Sequence, residues 1–128
     1  MGGLIIKLRP HEQIMINGVI IENGDRQSRL RVVTENARIM RMRDTIDPAK
    51  ATTPLKHAHY LAQRVISGDL AAAEASAQIR QAIANSASFL GQDTASEIQL
   101  FIDRCVADND FYRAMQCLRT KTAHVDKP

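Results

Sequence analysis

Hydrophobic and polar residues alternate in short runs through the first 46 positions of the chain. In residues 4–9, the apolar Ile6 and Leu8 share one face of a predicted strand, because side chains alternate between faces along a β-strand. The dipeptide Asn17-Gly18 separates two mostly apolar runs and favours the type I′ turn of a hairpin. Five short strands are predicted, over residues 4–9, 13–16, 19–22, 28–34 and 37–43.

Strands this short and close together predict a compact antiparallel sheet or barrel. Such a β unit is marginal alone, because chains below roughly 40–60 residues bury too little surface. Its first and last strands also have open edges unless something covers them. We therefore expect a homo-oligomer, most simply a dimer with twofold symmetry.

From residue 53 onward the apolar spacing becomes helical. Thr53 is a suitable cap for a helix that opens at the following proline and ends at Gly68. An alanine-rich stretch predicts a second helix capped by Asp69, and Asp93 or Thr94 is a suitable cap for a third. The four predicted helices cover residues 54–67, 70–90, about 94–107 and 110–119.

Strands precede helices without mixing, which predicts the α+β class. We expect a small five-stranded antiparallel β unit over residues 1–46, followed by a four-helix C-terminal region over residues 47–128. The chain of 128 residues is 45% hydrophobic and 24% charged, as in ordinary globular proteins. Aromatic residues make up only 4% and tryptophan is absent, so aliphatic side chains must form the core.

Targeting and redox features point to the cytoplasm. No charged segment followed by a long apolar stretch marks a signal peptide, and no apolar run is long enough to cross a membrane. Cys105 and Cys117 form no CxxC motif, and free thiols in a reducing compartment are the expected state. We therefore expect a cytoplasmic protein with no membrane association.

Positive charge is concentrated in the predicted strands. Residues 1–46 carry eight basic and five acidic side chains, whereas residues 47–128 carry nine of each, so the net charge of +3 lies on the β unit. Arginine binds phosphates and base edges with paired hydrogen bonds, which favours a nucleic acid partner. The alternative is a solvated β surface whose arginines pair with nearby acids. The basic residues are Lys7, Arg9, Arg26, Arg29, Arg31, Arg38, Arg41 and Arg43.

No motif for catalysis, metal binding or cofactor binding is present. His57 and His59 have a metal-like spacing, but residues two apart on a helix point about 200° apart and cannot hold one ion. His11 and Glu12 lie in a turn without a nucleophile. We expect no catalytic activity and no cofactor; a nuclease or hydrolase is the least favoured alternative, because paired carboxylates are missing.

An ordered set of short motifs runs along the chain. A strand ending at Arg9-Pro10, then Glu12, an Asn-Gly hairpin and a final Arg43-Asp44-Thr45-Ile46 follow one another. In these features residues 4–46 resemble the carbon storage regulator family of small RNA-binding β proteins. A longer set comprises Leu8-Arg9-Pro10, Asn17-Gly18, Glu22-Asn23-Gly24-Asp25-Arg26, Arg43-Asp44, Thr52-Thr53-Pro54 and Tyr60-Leu61. Through this set the whole chain more closely resembles the FlbT family, the flagellum biosynthesis repressors of α-proteobacteria.

The resemblance to FlbT implies a post-transcriptional repressor. Members of that family bind the 5′ untranslated region of flagellin mRNA, restrain its translation and promote its decay. The resemblance also implies a functional link to the small flagellar regulator FlaF.

The resemblance to carbon storage regulators implies where RNA binds. In that family two chains interlace, and RNA lies on the edge where the first strand of one chain meets the last strand of the other. Here the corresponding segments are Ile6–Arg9 and Met40–Arg43. Arg43 matches the last-strand arginine, but Leu8 replaces a contacting arginine, so contacts are expected to shift to other basic residues. The predicted RNA-binding residues are Lys7, Arg9, Arg29, Arg31, Arg41 and Arg43.

A second functional hypothesis assigns the activity to the helices. The alanine-rich helical region would then dock a flagellar partner, as in a protein-binding adaptor or assembly chaperone. The β unit has no aromatic residue, although single-stranded nucleic acid usually stacks on Phe, Tyr or Trp. Under the RNA hypothesis, arginine planes must take the place of such a platform.

Overall fold

The computed structural model describes residues 3–125 and has the predicted α+β class. Backbone contacts divide the chain into two compact units. The first, called the β unit here, ends at Thr45, and the second, called the helical unit, begins at Ile46. Within the described residues, every strand lies in the β unit and every α-helix in the helical unit.

The β unit contains five strands in two antiparallel sheets. One sheet pairs β1 with β4, and the other has the order β3-β2-β5. The expectation of one sheet or barrel was therefore wrong. The apolar faces of the two sheets meet in one core, where Ile6 and Leu8 of one sheet cluster with Ile14 of the other. The strands are β1 (Leu4–Leu8), β2 (Gln13–Ile16), β3 (Val19–Glu22), β4 (Ser28–Val32) and β5 (Ile39–Arg41).

A cluster of three buried side chains lies between the two sheets of the β unit. Ile6 and Leu8 come from β1, and Ile14, which is 0% exposed, comes from β2. The residues that alternate with them on β1, Ile5 and Lys7, are exposed, as the period of two in a strand requires. Partly buried side chains complete this core: Ile16, Leu30, Val32 and Ile39.

The predicted hairpin joins β2 to β3. Asn17 and Gly18 have φ angles of 50° and 86°, the positive values that a type I′ turn requires at both central residues. Ile16 lies opposite Val19, which is the predicted register. The Asn17 side chain also accepts a hydrogen bond of 2.8 Å from the backbone N–H of Arg38, so the turn is tied to the start of β5.

Replacing Gly18 by valine is expected to destabilise the β unit by roughly 1–3 kcal/mol. A branched side chain adopts positive φ only with strain, although the space around Gly18 is open. Denaturant unfolding of the full chain measures the change. Gly24→Val is the matched control, since Gly24 is also in open space but lacks a positive φ. Equal unfolding midpoints for Gly18→Val and the wild type would contradict the turn.

The helical unit contains five α-helices in the described residues, where four were predicted. The predicted helix over residues 70–90 divides at Ser86, whose buried hydroxyl donates a 2.6 Å hydrogen bond to the carbonyl of Ile83. This local bond competes with continuation of the helix. The helices are α1 (Pro54–Ser67), α2 (Ala72–Asn85), α3 (Ala87–Leu90), α4 (Gln92–Ala107) and α5 (Phe111–Val125).

The observed ends of α1 match those predicted from the sequence, but the ends of other helices differ from the prediction. Thr53 Oγ1 accepts from the N–H of Lys56 at 3.3 Å, and Gly68 ends α1 with a φ of 90°. Asp69 caps no helix; its carboxylate accepts from Arg64 at 3.3 Å instead, and α2 begins later than expected. The last helix extends past the predicted end at residue 119, because its buried face continues through Leu118 to Thr122.

The core of the helical unit is aliphatic. Helix α1 packs against α2 and α5, and α4 packs against α2 and α5. None of the described helices combines the length and apolar character needed to cross a membrane. The most deeply buried side chains of this unit include Leu61, Ile79, Ile83, Ile102, Met115 and Leu118.

Candidate nucleic-acid interface

The outward face of the β1–β4 sheet brings three basic residues together. Lys7 lies directly opposite Arg29, and Ile5 lies directly opposite Arg31. All four side chains are exposed, since they alternate with the core residues of their strands. We call this surface, formed by Ile5, Lys7, Arg29 and Arg31, the basic face. Like charges directly opposite each other destabilise an antiparallel pair, so an anion that bound between them would relieve repulsion.

The cations of the basic face have no acidic partner among the described residues. Glu12, Asp69 and Asp103 form their ion pairs with other arginines: Arg41, Arg43, Arg64 and Arg80. A shallow depression of about 250 Å³ lies beside Lys7 and Arg29, and Gln27 and Ser28 complete its lining. The depression therefore offers two cationic groups with amide and hydroxyl groups alongside, a combination suited to a phosphate.

Asn23 holds the loop that leads into β4. Its side-chain amide donates to the carbonyls of Arg9 and Arg26, at 2.8 Å each, and its side-chain oxygen accepts from Ser28 Oγ at 2.7 Å. These bonds connect the end of β1 to the start of β4, and so position Arg29. The sequence analysis named Asn23 only within the motif Glu22-Asn23-Gly24-Asp25-Arg26, although asparagine in turns often bonds to nearby backbone.

The predicted residues Arg41 and Arg43 converge on Glu12 instead of on the basic face. Arg41 Nη1 lies 2.7 Å from Glu12 Oε2, and Arg43 Nη1 lies 3.5 Å from the same oxygen. Arg41 Nη1 also donates to the carbonyl of Lys7 at 3.1 Å. The other oxygen of Glu12 accepts from the backbone N–H of Arg9 at 2.9 Å. One carboxylate thus ties together the ends of β1 and β5 and the start of β2.

The burial of the three side chains separates their roles. The Glu12 side chain is 6% exposed and that of Arg41 is 24% exposed, whereas that of Arg43 is 45% exposed. Arg41 is therefore mainly a structural residue, and Arg43 keeps much of its guanidinium open to solvent. Burial alone would raise the pKa of Glu12, but the N–H of Arg9 and the guanidinium of Arg41 outweigh it, so the pKa is lowered.

The six predicted residues thus occupy three places. Lys7, Arg29 and Arg31 share the basic face, and Arg9 is exposed just beyond the end of β1. Arg41 and Arg43 surround Glu12. Within the described residues β1 and β5 form no ladder in one chain. The segments Ile6–Arg9 and Met40–Arg43 that the resemblance implies are connected by the Arg41 side chain and by Glu12. Sequence reasoning named Glu12 in a motif but missed its contacts with Arg41 and Arg43, because 29 and 31 residues separate these arginines from it.

The histidine pair of α1 has no metal-binding geometry. His57 is exposed and His59 is buried, so they lie on different sides of the helix. Among the described residues, no group of three or more histidine, cysteine or carboxylate side chains is arranged to hold a metal ion. Cys105 and Cys117 are free thiols, and burial raises the pKa of both.

A groove on the helical unit is the second surface of interest. It lies between α4 and α5, has a volume of about 440 Å³, and is lined by apolar and charged residues that include Ile98, Phe101 and Lys121. The guanidinium of Arg113 sits 5.2 Å from the centre of the Phe101 ring, within range of a cation–π contact. Nearby in sequence, Leu100 is 62% exposed.

A sequence model of the family described as "Flagellar protein FlbT" matches residues 4–125. This match extends through both units and covers almost all of the chain. No solved structure gives a significant match.

Curated proteins show the same similarity. The chain is 42% identical over 53 residues to the probable flagellum biosynthesis repressor protein FlbT 1 of Bradyrhizobium diazoefficiens, a match to 41% of this chain and 36% of that protein. It is 35% identical over 57 residues to the flagellum biosynthesis repressor protein FlbT of Caulobacter vibrioides, across 44% of this chain and 40% of that protein. These matches span less than half of either relative.

A third relative matches most of the chain, but at a lower sequence identity than the two shorter matches. The probable flagellum biosynthesis repressor protein FlbT of Mesorhizobium japonicum is 27% identical over 118 residues, which cover 91% of this chain and 78% of that protein. Similarity to proteins of this kind therefore continues into the helical unit.

Proposed function

Because the chain belongs to the FlbT family of flagellar proteins, we propose that it represses flagellum biosynthesis by binding RNA. Relatives named flagellum biosynthesis repressor support the first part of this proposal. More specifically, we propose that the protein binds the 5′ untranslated region of flagellin mRNA, restrains translation of that mRNA and promotes its decay. It does so without catalytic activity of its own.

The main support for RNA binding is that the cations of the basic face have no acidic partner among the described residues. Lys7, Arg29 and Arg31 project from one sheet surface, and no described carboxylate neutralises them. Phosphates of an RNA strand would supply the missing negative charge and release condensed counterions, which gives affinity with little regard to sequence. Arg9 and Arg43, which follow β1 and β5, are exposed and add positive charge to the β unit.

Specificity must come from arginine, because the β unit has no aromatic side chain. Guanidinium planes stack on unpaired bases and hydrogen-bond to their edges, as required for recognition of loops and single strands. Arg31 lies opposite the exposed side chain of Ile5, which adds an apolar patch for a base to cover. The protein is therefore suited to unpaired nucleotides of a structured leader.

Removing three cations from the basic face is expected to weaken RNA binding. In the triple variant Lys7→Ala, Arg29→Ala, Arg31→Ala, each arginine that reads a base should cost roughly 1–3 kcal/mol, and each phosphate contact less. The slope of log affinity against log salt should decrease in magnitude by about 2, because each contact to single-stranded phosphate contributes about 0.7. Fluorescence anisotropy with a labelled flagellin leader RNA, repeated over a series of salt concentrations, measures both quantities.

A variant with the same change in net charge is the control. Lys50→Ala, Arg104→Ala, Lys121→Ala removes three exposed cations from the helical unit. Its RNA affinity should stay close to that of the wild type. Equal losses in both triple variants would show that binding reports only total charge, and an unchanged affinity in the basic-face variant would overturn the proposal.

The groove between α4 and α5 supports a second candidate function. Its lining combines apolar side chains with charges of both signs, which suits a peptide or helix of a flagellar partner, with the regulator FlaF as the proposed partner. Isothermal titration of the full chain with purified FlaF tests this adaptor function. A complex that Phe101→Ala weakens, together with a basic-face variant that binds RNA normally, would favour the adaptor function over the RNA proposal.

A further inference from the structure

Strand β3 is an open edge with apolar side chains on both of its faces. Among the described strands it pairs only with β2, and Val19, Ile20 and Ile21 are 60%, 54% and 38% exposed. Proteins usually protect such an edge with lysine, proline or a bulge, because its free backbone groups invite another strand. β3 has no charge before Glu22 and no proline.

Hydrogen bonds around β3 show which of its backbone groups are free. Asn17 N–H donates to the carbonyl of Arg38, at 2.8 Å, toward the β5 side of β2. Because backbone groups alternate sides along a strand, Ile14 and Ile16 direct theirs toward β3, where they meet Ile21 and Val19. The alternate residues of β3, Ile20 and Glu22, therefore direct their N–H and C=O groups away from β2.

We propose that β3 pairs with β3 of a second copy of this chain, antiparallel and centred on Ile20. A twofold axis perpendicular to the sheet would place Ile20 opposite its own counterpart, and the two residues would exchange both backbone hydrogen bonds. The two three-stranded sheets then form one six-stranded sheet with the order β5-β2-β3-β3-β2-β5. The open edge disappears from both chains.

The side chains of β3 fit this register. Val19 lies opposite Ile21 of the partner copy on one face, and the two copies of Ile20 meet on the other. Glu22 lies opposite Gly18 of the partner copy, so no like charges oppose each other. A register centred on Ile21 fails, because the backbone groups of Ile21 already face β2. The self-complementary pattern favours a second copy as the occupant.

This interface does not depend on RNA binding and differs from the interlaced strands of carbon storage regulators. It joins two β units through β3, and it leaves β1 and β4 outside the contact. The basic face of each copy therefore stays open, and a dimer would present two of them. Two sites on one particle raise the effective concentration for a second RNA segment.

A lysine at the centre of the interface provides the first test. Ile20→Lys puts two positive charges directly opposite each other, because the twofold axis duplicates the substitution. By sedimentation at micromolar concentration, the wild-type chain should have about twice the 14.2 kDa mass of one chain, and Ile20→Lys should sediment as the monomer. Val33→Lys is the matched control, since Val33 is 74% exposed and lies outside β3, and it should remain dimeric.

Cysteine pairs test the register. In Ile20→Cys the two Cα atoms should lie about 5.5 Å apart, within disulfide range, whereas in Val19→Cys they lie more than about 7 Å apart. Mild oxidation should therefore cross-link Ile20→Cys and leave Val19→Cys and the wild type as single chains on non-reducing gels. A monomeric wild type, a dimeric Ile20→Lys or equal cross-linking of the two cysteine variants would each overturn the proposal.

Discussion

Replacing Ile14 by alanine is expected to destabilise the β unit by about 2–5 kcal/mol. Ile14 is 0% exposed and clusters with the buried side chains of Ile6 and Leu8 between the two sheets. The other two, Ile6 and Leu8, lie on the facing sheet, so a cavity at residue 14 separates the sheets from each other. A unit this small has few other contacts with which to fill that cavity.

Denaturant unfolding of the full chain, followed by hydrogen exchange of the β-strand amides, measures this loss. Ile5→Ala is the matched control, because Ile5 belongs to the same unit but is 51% exposed, and its effect should stay below about 1 kcal/mol. RNA affinity should decrease in Ile14→Ala together with the folded fraction of the β unit. Equal stabilities of Ile14→Ala and Ile5→Ala would contradict the core described for the two sheets.

Features that depend on a few neighbouring residues were predicted correctly from the sequence. The turn at Asn17-Gly18 and its register follow from the backbone angles that these two residues accept. The bounds of α1 follow from Thr53 as the cap and Gly68 as the terminator. In each case local chemistry determines the structure, so no knowledge of distant contacts was needed.

Features that depend on distant contacts were missed. The division into two sheets is set by burial of Ile6 and Leu8 against Ile14, which no local pattern reveals. The break between α2 and α3 occurs where Ser86 is buried and bonds to the backbone of its own helix. Within an alanine-rich stretch, the sequence gives no sign that Ser86 is buried and interrupts the helix. The sequence therefore predicted one helix instead of two.

The candidate site likewise has features that local sequence predicts and features that depend on distant contacts. The alternation of a strand sets Lys7 on the face opposite Ile6 and Leu8, and the pairing of β1 with β4 places Arg29 opposite Lys7 on the exposed face. The pairing of Arg41 with Glu12 joins residues 29 positions apart, and only the folded β unit brings them together. The sequence predicted Arg41 as an RNA-binding residue, and its contacts with Glu12 and Lys7 add a structural role that the sequence did not reveal.

Replacing Glu12 by glutamine is expected to destabilise the β unit by roughly 2–4 kcal/mol. Removing one partner of a buried ion pair costs up to about 5 kcal/mol, and the partial exposure of Arg41 and Arg43 lowers this figure. Glutamine keeps the shape and accepts from the N–H of Arg9, so the loss isolates the charge of Glu12. Glu35→Gln is the control, since Glu35 is an exposed acid of the same unit.

The pH dependence of that loss distinguishes an ion pair from a packing effect. The folded protein lowers the pKa of Glu12 below its usual 4.5, so the unfolded chain binds the proton first as the pH falls. The ion pair therefore stabilises the protein fully above about pH 5, and this contribution disappears as the pH drops through the folded pKa. Denaturant unfolding should show a difference between the wild type and Glu12→Gln that is largest near pH 7 and narrows below pH ~4. A difference that is constant with pH would mean that the charge of Glu12 does not hold the strands together. Arg41 would then be free to contact RNA, as the sequence first suggested.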